Sequence, residues 1–205
     1  TWIQPGFTWA SQTIGYYWKY GAFTFVAVII SAESGFKLFI LYQVGDFINT
    51  WLKMVYMQAR PQFLYPEQGD SCMESLGMPS GHAMQSFLLY VGAGYFSAIG
   101  IINGLRLKSL RTTRVIYAGL LILGAIMSLI VGLARLFSGK HSYVQVLFGW
   151  AEGFILFNII LHHSDHLSFS KYGDSWKYWL KRFTFWTSFL IVGYLTYLCV
   201  EDWTL

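Results

Sequence analysis

Near-uncharged apolar stretches of bilayer-crossing length recur along this chain, at roughly 20–34, 37–59, 82–102, 115–136, 142–162 and 181–200. A helix of about 20 apolar residues covers the ~30 Å hydrocarbon core of a membrane. Within that core each backbone polar group must be satisfied inside the structure, so only helices and closed barrels can cross it. The runs here are continuous and of helix length. The expected fold is all-α: a polytopic transmembrane bundle of about six helices, forming one domain over residues 1–205. Composition agrees, since 55% of the 205 residues are hydrophobic and 12% charged, against about a quarter charged in a soluble domain. The run at 20–34 is the least span-like, because it carries Gly21 and Glu33. Residues 1–18, with Trp2, Trp9, Tyr16, Tyr17 and Trp18, read as an interfacial belt.

Charge separates the two sides of the membrane. Segment 103–114 holds Arg106, Lys108, Arg111 and Arg114 with no acid, and segment 162–182 holds Lys171, Lys177, Lys181 and Arg182 against Asp165 and Asp174. Both should face the cytosol, where basic loops also meet anionic lipid. Segment 61–81 has Glu67, Asp70 and Glu74 and no Lys or Arg, and it falls on the opposite side together with 137–141 and the tail holding Glu201 and Asp202. The net charge of +4 does not point to nucleic acid, because the basic residues are divided between motif positions and the loops of the other face. Membrane lipids are the expected surroundings, with membrane-protein partners left open. Cys72 and Cys199 fall on the same side, which permits a bridge but makes no disulfide framework or metal set.

Basic and imidazole side chains gather at the ends of these runs, all on the extracytosolic side. Lys53 and Arg60 are seven residues apart, so on a continuing helix they share a face about 10 Å apart along the axis, with Asp46 seven residues earlier and Pro61 ending the helix. Lys53 alone also reads as a snorkelling anchor. In Pro79-Ser80-Gly81-His82, Ser80 can cap the next helix and Gly81 lets the backbone approach a ligand. The free N–H groups of that helix start form an anion seat, and His82 in its first turn can trade a proton with a bound group. An ordinary Ser-capped helix with an incidental His is the plainer reading. Arg135 closes the fourth run and His141 opens the fifth. A guanidinium grips phosphate oxygens bidentately, and a neutral imidazole can attack phosphorus. One Arg or one His means little; their shared face gives them weight.

Lys-x6-Arg-Pro at 53–61, Pro-Ser-Gly-His at 79–82 and Arg-x5-His at 135–141, in that order, resemble the three signatures of the type 2 phosphatidic acid phosphatase superfamily. Gly45-Asp46, the extension to Ala83-Met84 and Gln145-Val146 after His141 look closest to its glucose-6-phosphatase branch. The resemblance covers roughly 37–150 and implies an acid-phosphatase/vanadium-haloperoxidase-like bundle. It implies a phosphoric monoester hydrolase acting on a sugar phosphate (glucose 6-phosphate-like) or a lipid phosphate, independent of metal and cofactor. Lys53, Arg60, Ser80, Gly81 and Arg135 would cradle the phosphoryl oxygens. His141 would be the nucleophile forming a phosphohistidine, His82 the general acid, and Gln145 the residue orienting the nucleophile. The site would lie on the lumenal or extracytosolic face of the endoplasmic reticulum or plasma membrane. Two positions depart from the superfamily pattern: Ala134 where Ser is usual, and neutral Gln145 where lipid phosphatases carry Asp.

Those departures also support a second reading, a structural or accessory membrane subunit that keeps the fold with weakened catalysis. Oxidation chemistry on bound vanadate ranks third, since those relatives are mostly soluble. Glu152 reads equally as a functional acid or as a protonated carboxyl bonded across helices. His162, His163 and His166 read as solvated loop histidines before a metal site. Gly92, Gly94, Gly100, Gly119, Gly124 and Gly132 read as helix-packing points.

Overall fold

The computed structural model describes residues 21, 25–61, 76–162 and 191. Among them the structure is helical: a π-helical turn at Val26–Ile30, then α1 (Ala32–Tyr56), α2 (Gly81–Gly104), α3 (Leu110–Phe137) and α4 (Tyr143–His162). The belt at 1–18, the sixth run apart from residue 191, the acidic residues 67–74, both cysteines, His163 and His166 lie outside the described residues.

Each helix start follows from a serine. Ser31 is extended and accepts the Ser34 N–H at 3.0 Å, opening α1. Ser80 accepts from Ala83 at the head of α2, and Ser109 from Thr112 at the head of α3. Such caps satisfy donors that the first helical turn leaves without partners. The first two runs therefore divide at Ser31, rather than between 34 and 37, because the cap stops one helix and starts the next.

The end of α1 corrects the expectation that Lys53 and Arg60 share one helical face. Met57 takes a left-handed conformation at φ 46°, its N–H returning to the Lys53 carbonyl. Residues 57–60 are not helical, so Arg60 reaches the site from a connecting segment. The helix closes on Met57 four residues before Pro61. His141 likewise precedes α4, in the turn after α3, instead of opening it.

Helix α2 is the centre of the bundle. Leu88, Leu89, Val91 and Phe96 from α2 pack with Leu38, Leu41 and Tyr42 of α1 and with Leu156 and Phe157 of α4. Small residues let the backbones close in. A Cβ on Gly153 of α4 would meet the Met84 carbonyl at 3.1 Å, and one on Gly149 would collide with the Ser80 carbonyl. Gly94 and Gly124 serve the α2–α3 contact in the same way, whereas Gly119 has nothing near it among the described residues. Helices α2, α3 and α4 are each long and apolar enough to cross a membrane. Outward-facing Val115, Ile122, Leu123, Phe154, Ile155 and Ile159 give α3 and α4 an apolar exterior. α1 is not among those three; it carries Glu33, Lys37, Asp46 and Lys53. The protein is an integral membrane protein.

Candidate active site

Four short segments meet where α1 ends, α2 begins and α3 turns into α4. The α3–α4 turn is made by Ser138 and Gly139, the latter at φ 67°, where glycine carries no Cβ penalty. Across this turn the His141 N–H donates to the Arg135 carbonyl at 3.3 Å, which binds the two residues into one unit. The Ser80 N–H donates to the Gln145 carbonyl at 2.9 Å and ties the head of α2 to the head of α4. The Gly77 N–H donates to the Gln58 carbonyl at 2.7 Å, holding the approach to α2 against the end of α1. Ser80, Arg60, Arg135, His141 and Gln145 are all buried.

The surroundings of His141 fix its tautomer. Nδ1 stands 2.9 Å from the Gly77 carbonyl oxygen and 3.2 Å from Gln145 Oε1. Both are acceptors, so Nδ1 carries the hydrogen. Nε2 keeps its lone pair and faces Arg60 Nη1 at 3.4 Å. Arg60 Nη1 also donates to the Lys140 carbonyl at 3.4 Å. Burial, followed by the charges of Arg60, Arg135 and Lys53 with a smaller contribution from His82, holds the His141 pKa well below the usual imidazole range. A ring held neutral, with its Nε2 lone pair turned toward the Arg60 guanidinium, has the chemistry to act as a nucleophile on an anion held by that guanidinium.

The Gln145 amide has a partner for each end. Oε1 accepts from the Ser142 N–H at 3.1 Å as well as from His141. Nε2 donates to Gln58 Oε1 at 3.1 Å and to the Ala59 carbonyl at 2.9 Å. One face of the amide orients the imidazole; the other holds the residue immediately before Arg60. A carboxylate could do only the first.

The structure thus brings Gln145 and Arg60 each into direct contact with His141 and joins Arg135 and Ser80 to them through the backbone. Lys53 comes from the last turn of α1, its Nζ 3.7 Å from where a Gly81 Cβ would lie. His82 follows in the first turn of α2. Asp46 is drawn elsewhere: its Oδ1 accepts from Gln85 Nε2 on α2. Among the described residues no three His, Cys, Asp or Glu side chains converge as metal ligands.

Comparison with known proteins fits this geometry. The PAP2 superfamily model matches residues 34–168, well over half of the chain. The chain belongs to the PAP2 superfamily. Phosphatidylglycerophosphatase B of Bacillus subtilis is 26% identical over 126 residues, covering 62% of this chain and 56% of that protein; the chain spans little more than half the length of that curated relative. The crystal structure of the first transmembrane PAP2 type phosphatidylglycerolphosphate phosphatase from Bacillus subtilis aligns with a TM-score of 0.63 at 20% identity, over 82% of this chain and 79% of that one. At that identity the likeness establishes the fold.

All eight candidate residues fall inside the matched PAP2 interval. Reading the sequence alone misses Gly77, Gln58, Ala59 and Lys140, all four of which act through backbone carbonyls that no side-chain pattern reveals. Asn49 is also missed, although its place four residues before Lys53 on the same face of α1 was a usable signal.

Proposed function

We propose that this PAP2 protein is a membrane phosphomonoesterase working through a phosphohistidine at His141. Nε2 attacks phosphorus as the P–O bond to the leaving group breaks, and His82 gives that oxygen its proton. Water, losing a proton to His82, then cleaves the P–N bond and releases inorganic phosphate. Lys53, Arg60, Arg135 and the first N–H groups of α2 neutralise the equatorial oxygens, which is most of what phosphoryl transfer asks of a protein. Nδ1–H stays on two carbonyl oxygens throughout, so the ring can carry positive charge once Nε2 is phosphorylated. No step in this scheme requires a metal. The single observation that carries the reading is the His141 tautomer, with the Nε2 lone pair against Arg60.

A lipid phosphate is the favoured substrate, supported by the likeness to phosphatidylglycerophosphatase B. The neutral Gln145, built into the site at both ends, supports the glucose-6-phosphatase-like alternative. The basic Arg106–Arg114 segment joins the far ends of α2 and α3, about 36 Å from the site at 1.5 Å per residue of α2. That separation supports a site on the extracytosolic face, opposite the basic segment. Phosphate release from phosphatidylglycerol phosphate, phosphatidic acid and glucose 6-phosphate by purified protein, beside His141→Ala, tests the proposal. Release abolished by the substitution upholds it, and the preferred substrate picks the branch. Folded protein that releases phosphate from none of them leaves the accessory-subunit reading.

A further inference from the structure

The scheme above leaves one buried acid unused. Glu152 on α4 is 8% exposed, and an acid within a span is costly unless partnered or functional. Its Oε2 accepts a hydrogen bond from Asn49 Nδ2 of α1 at 2.7 Å. Its Oε1 is buried and has no hydrogen-bond partner among the described residues. Asn49 is itself buried and stands one turn before Lys53. Committing its N–H to Glu152 decides which way the amide points. The Asn49 carbonyl oxygen turns toward the head of α2, where a Cβ on Gly81 would lie 3.0 Å from Oδ1 and 3.7 Å from Lys53 Nζ. One hydrogen bond from α4 therefore places an acceptor, and not a donor, beside the Lys53 ammonium and the first peptide of α2.

We infer that Glu152 is a positioning residue: through Asn49 it holds the Lys53 ammonium and the opening peptide of α2 together as one anion seat. This rests on the phosphatase reading and deepens it by extending the site about two turns further along α4, beyond Gln145. Without an acceptor at 152 the Asn49 amide is free to turn its N–H groups toward Lys53. That puts donor against donor, and the ammonium leaves the seat. Glutamine at 152 keeps the acceptor and should keep the seat.

A pair that merely fills space would behave differently. Replacing both residues by leucine removes donor and acceptor together, a change that is often nearly neutral for stability, but it abolishes the orientation. The test uses the full chain in detergent, with orthovanadate binding by calorimetry, p-nitrophenyl phosphate turnover and melting temperature read in parallel. Glu152→Gln should bind vanadate within about twofold of wild type, while Glu152→Leu and Asn49→Leu each weaken it about tenfold. The double leucine variant should recover the melting temperature but bind vanadate no better than the worse single variant, since both act through one tie. A double variant with wild-type vanadate affinity, single losses that add, or Glu152→Gln as weak as Glu152→Leu would each overturn the inference. The two readouts keep the claims apart. Wild type that binds vanadate but turns over no phosphomonoester defeats the phosphatase reading, and the affinities still decide Glu152. Active wild type with an unimpaired Glu152→Leu defeats the inference alone.

Discussion

Replacing Gln145 by glutamate exchanges one NH2 for a carboxylate oxygen at nearly constant shape, and the structure gives the consequence a sign. If position 145 served only to buttress the imidazole, a carboxylate on the His141 Nδ1–H would be an improvement. Here the amide also donates to Gln58 Oε1 and to the Ala59 carbonyl. The glutamate would lose both bonds and set a negative charge against two acceptors. A buried acceptor deprived of its donor costs about 1–3 kcal/mol, while the charge-assisted bond to His141 returns about 1–2 kcal/mol. The net loss is about 2 kcal/mol, or roughly thirtyfold in kcat/KM. Because Ala59 leads directly into Arg60, the loss should fall mainly on anion binding, raising both KM and the vanadate inhibition constant. As pH falls the glutamate takes up a proton and regains one donor, so the deficit should narrow. Steady-state kinetics of p-nitrophenyl phosphate hydrolysis with vanadate inhibition, from neutral to acid pH, reads all three effects. A variant matching or exceeding wild type at neutral pH with unchanged KM would refute the two-sided role of Gln145.

Other predictions concern the two imidazoles. His82→Ala should slow single-turnover cleavage of an alkyl phosphate by about a hundredfold or more and spare p-nitrophenyl phosphate, whose leaving group needs no proton; equal losses on both would remove His82 as general acid. A lowered His141 pKa means that the ring keeps its lone pair as pH falls through the ordinary imidazole value of about 6.5. Corrected for ionisation of the substrate, wild-type kcat/KM should therefore show no acid limb centred there that is assignable to His141, and a His141 titration near 6.5 followed by NMR would contradict this.

What could be read from the sequence divides along physical lines. Serine caps and apolar run length act locally, so the head of α2 and the spans α2, α3 and α4 follow from the order of residues, whereas the Ser31 cap that opens α1 falls inside what reads as one apolar run. The three motifs also identify residues that do converge: Lys53, Arg60, Ser80, Arg135 and His141 meet although they are up to 88 residues apart in the chain (141 minus 53). The early end of α1 was not legible, because a left-handed Met57 is set by the tertiary path that brings Arg60 to His141. For Gln145 the acceptor role is legible from its place one turn beyond His141. Its donor role depends on the Gln58 side-chain oxygen and the Ala59 carbonyl, whose positions only the fold determines. Glu152 was ambiguous for the same reason: its partner, Asn49, lies 103 residues away.

The central claim is that His141 attacks phosphorus through Nε2, and regiochemistry tests it most directly. Protein mixed with a labelled phosphomonoester, quenched in alkali during turnover and mapped by mass spectrometry, should carry phosphate on His141 as the Nε2 isomer. Label on Nδ1, label on another residue, or hydrolysis with no covalent phosphoprotein under conditions that trap one would contradict it.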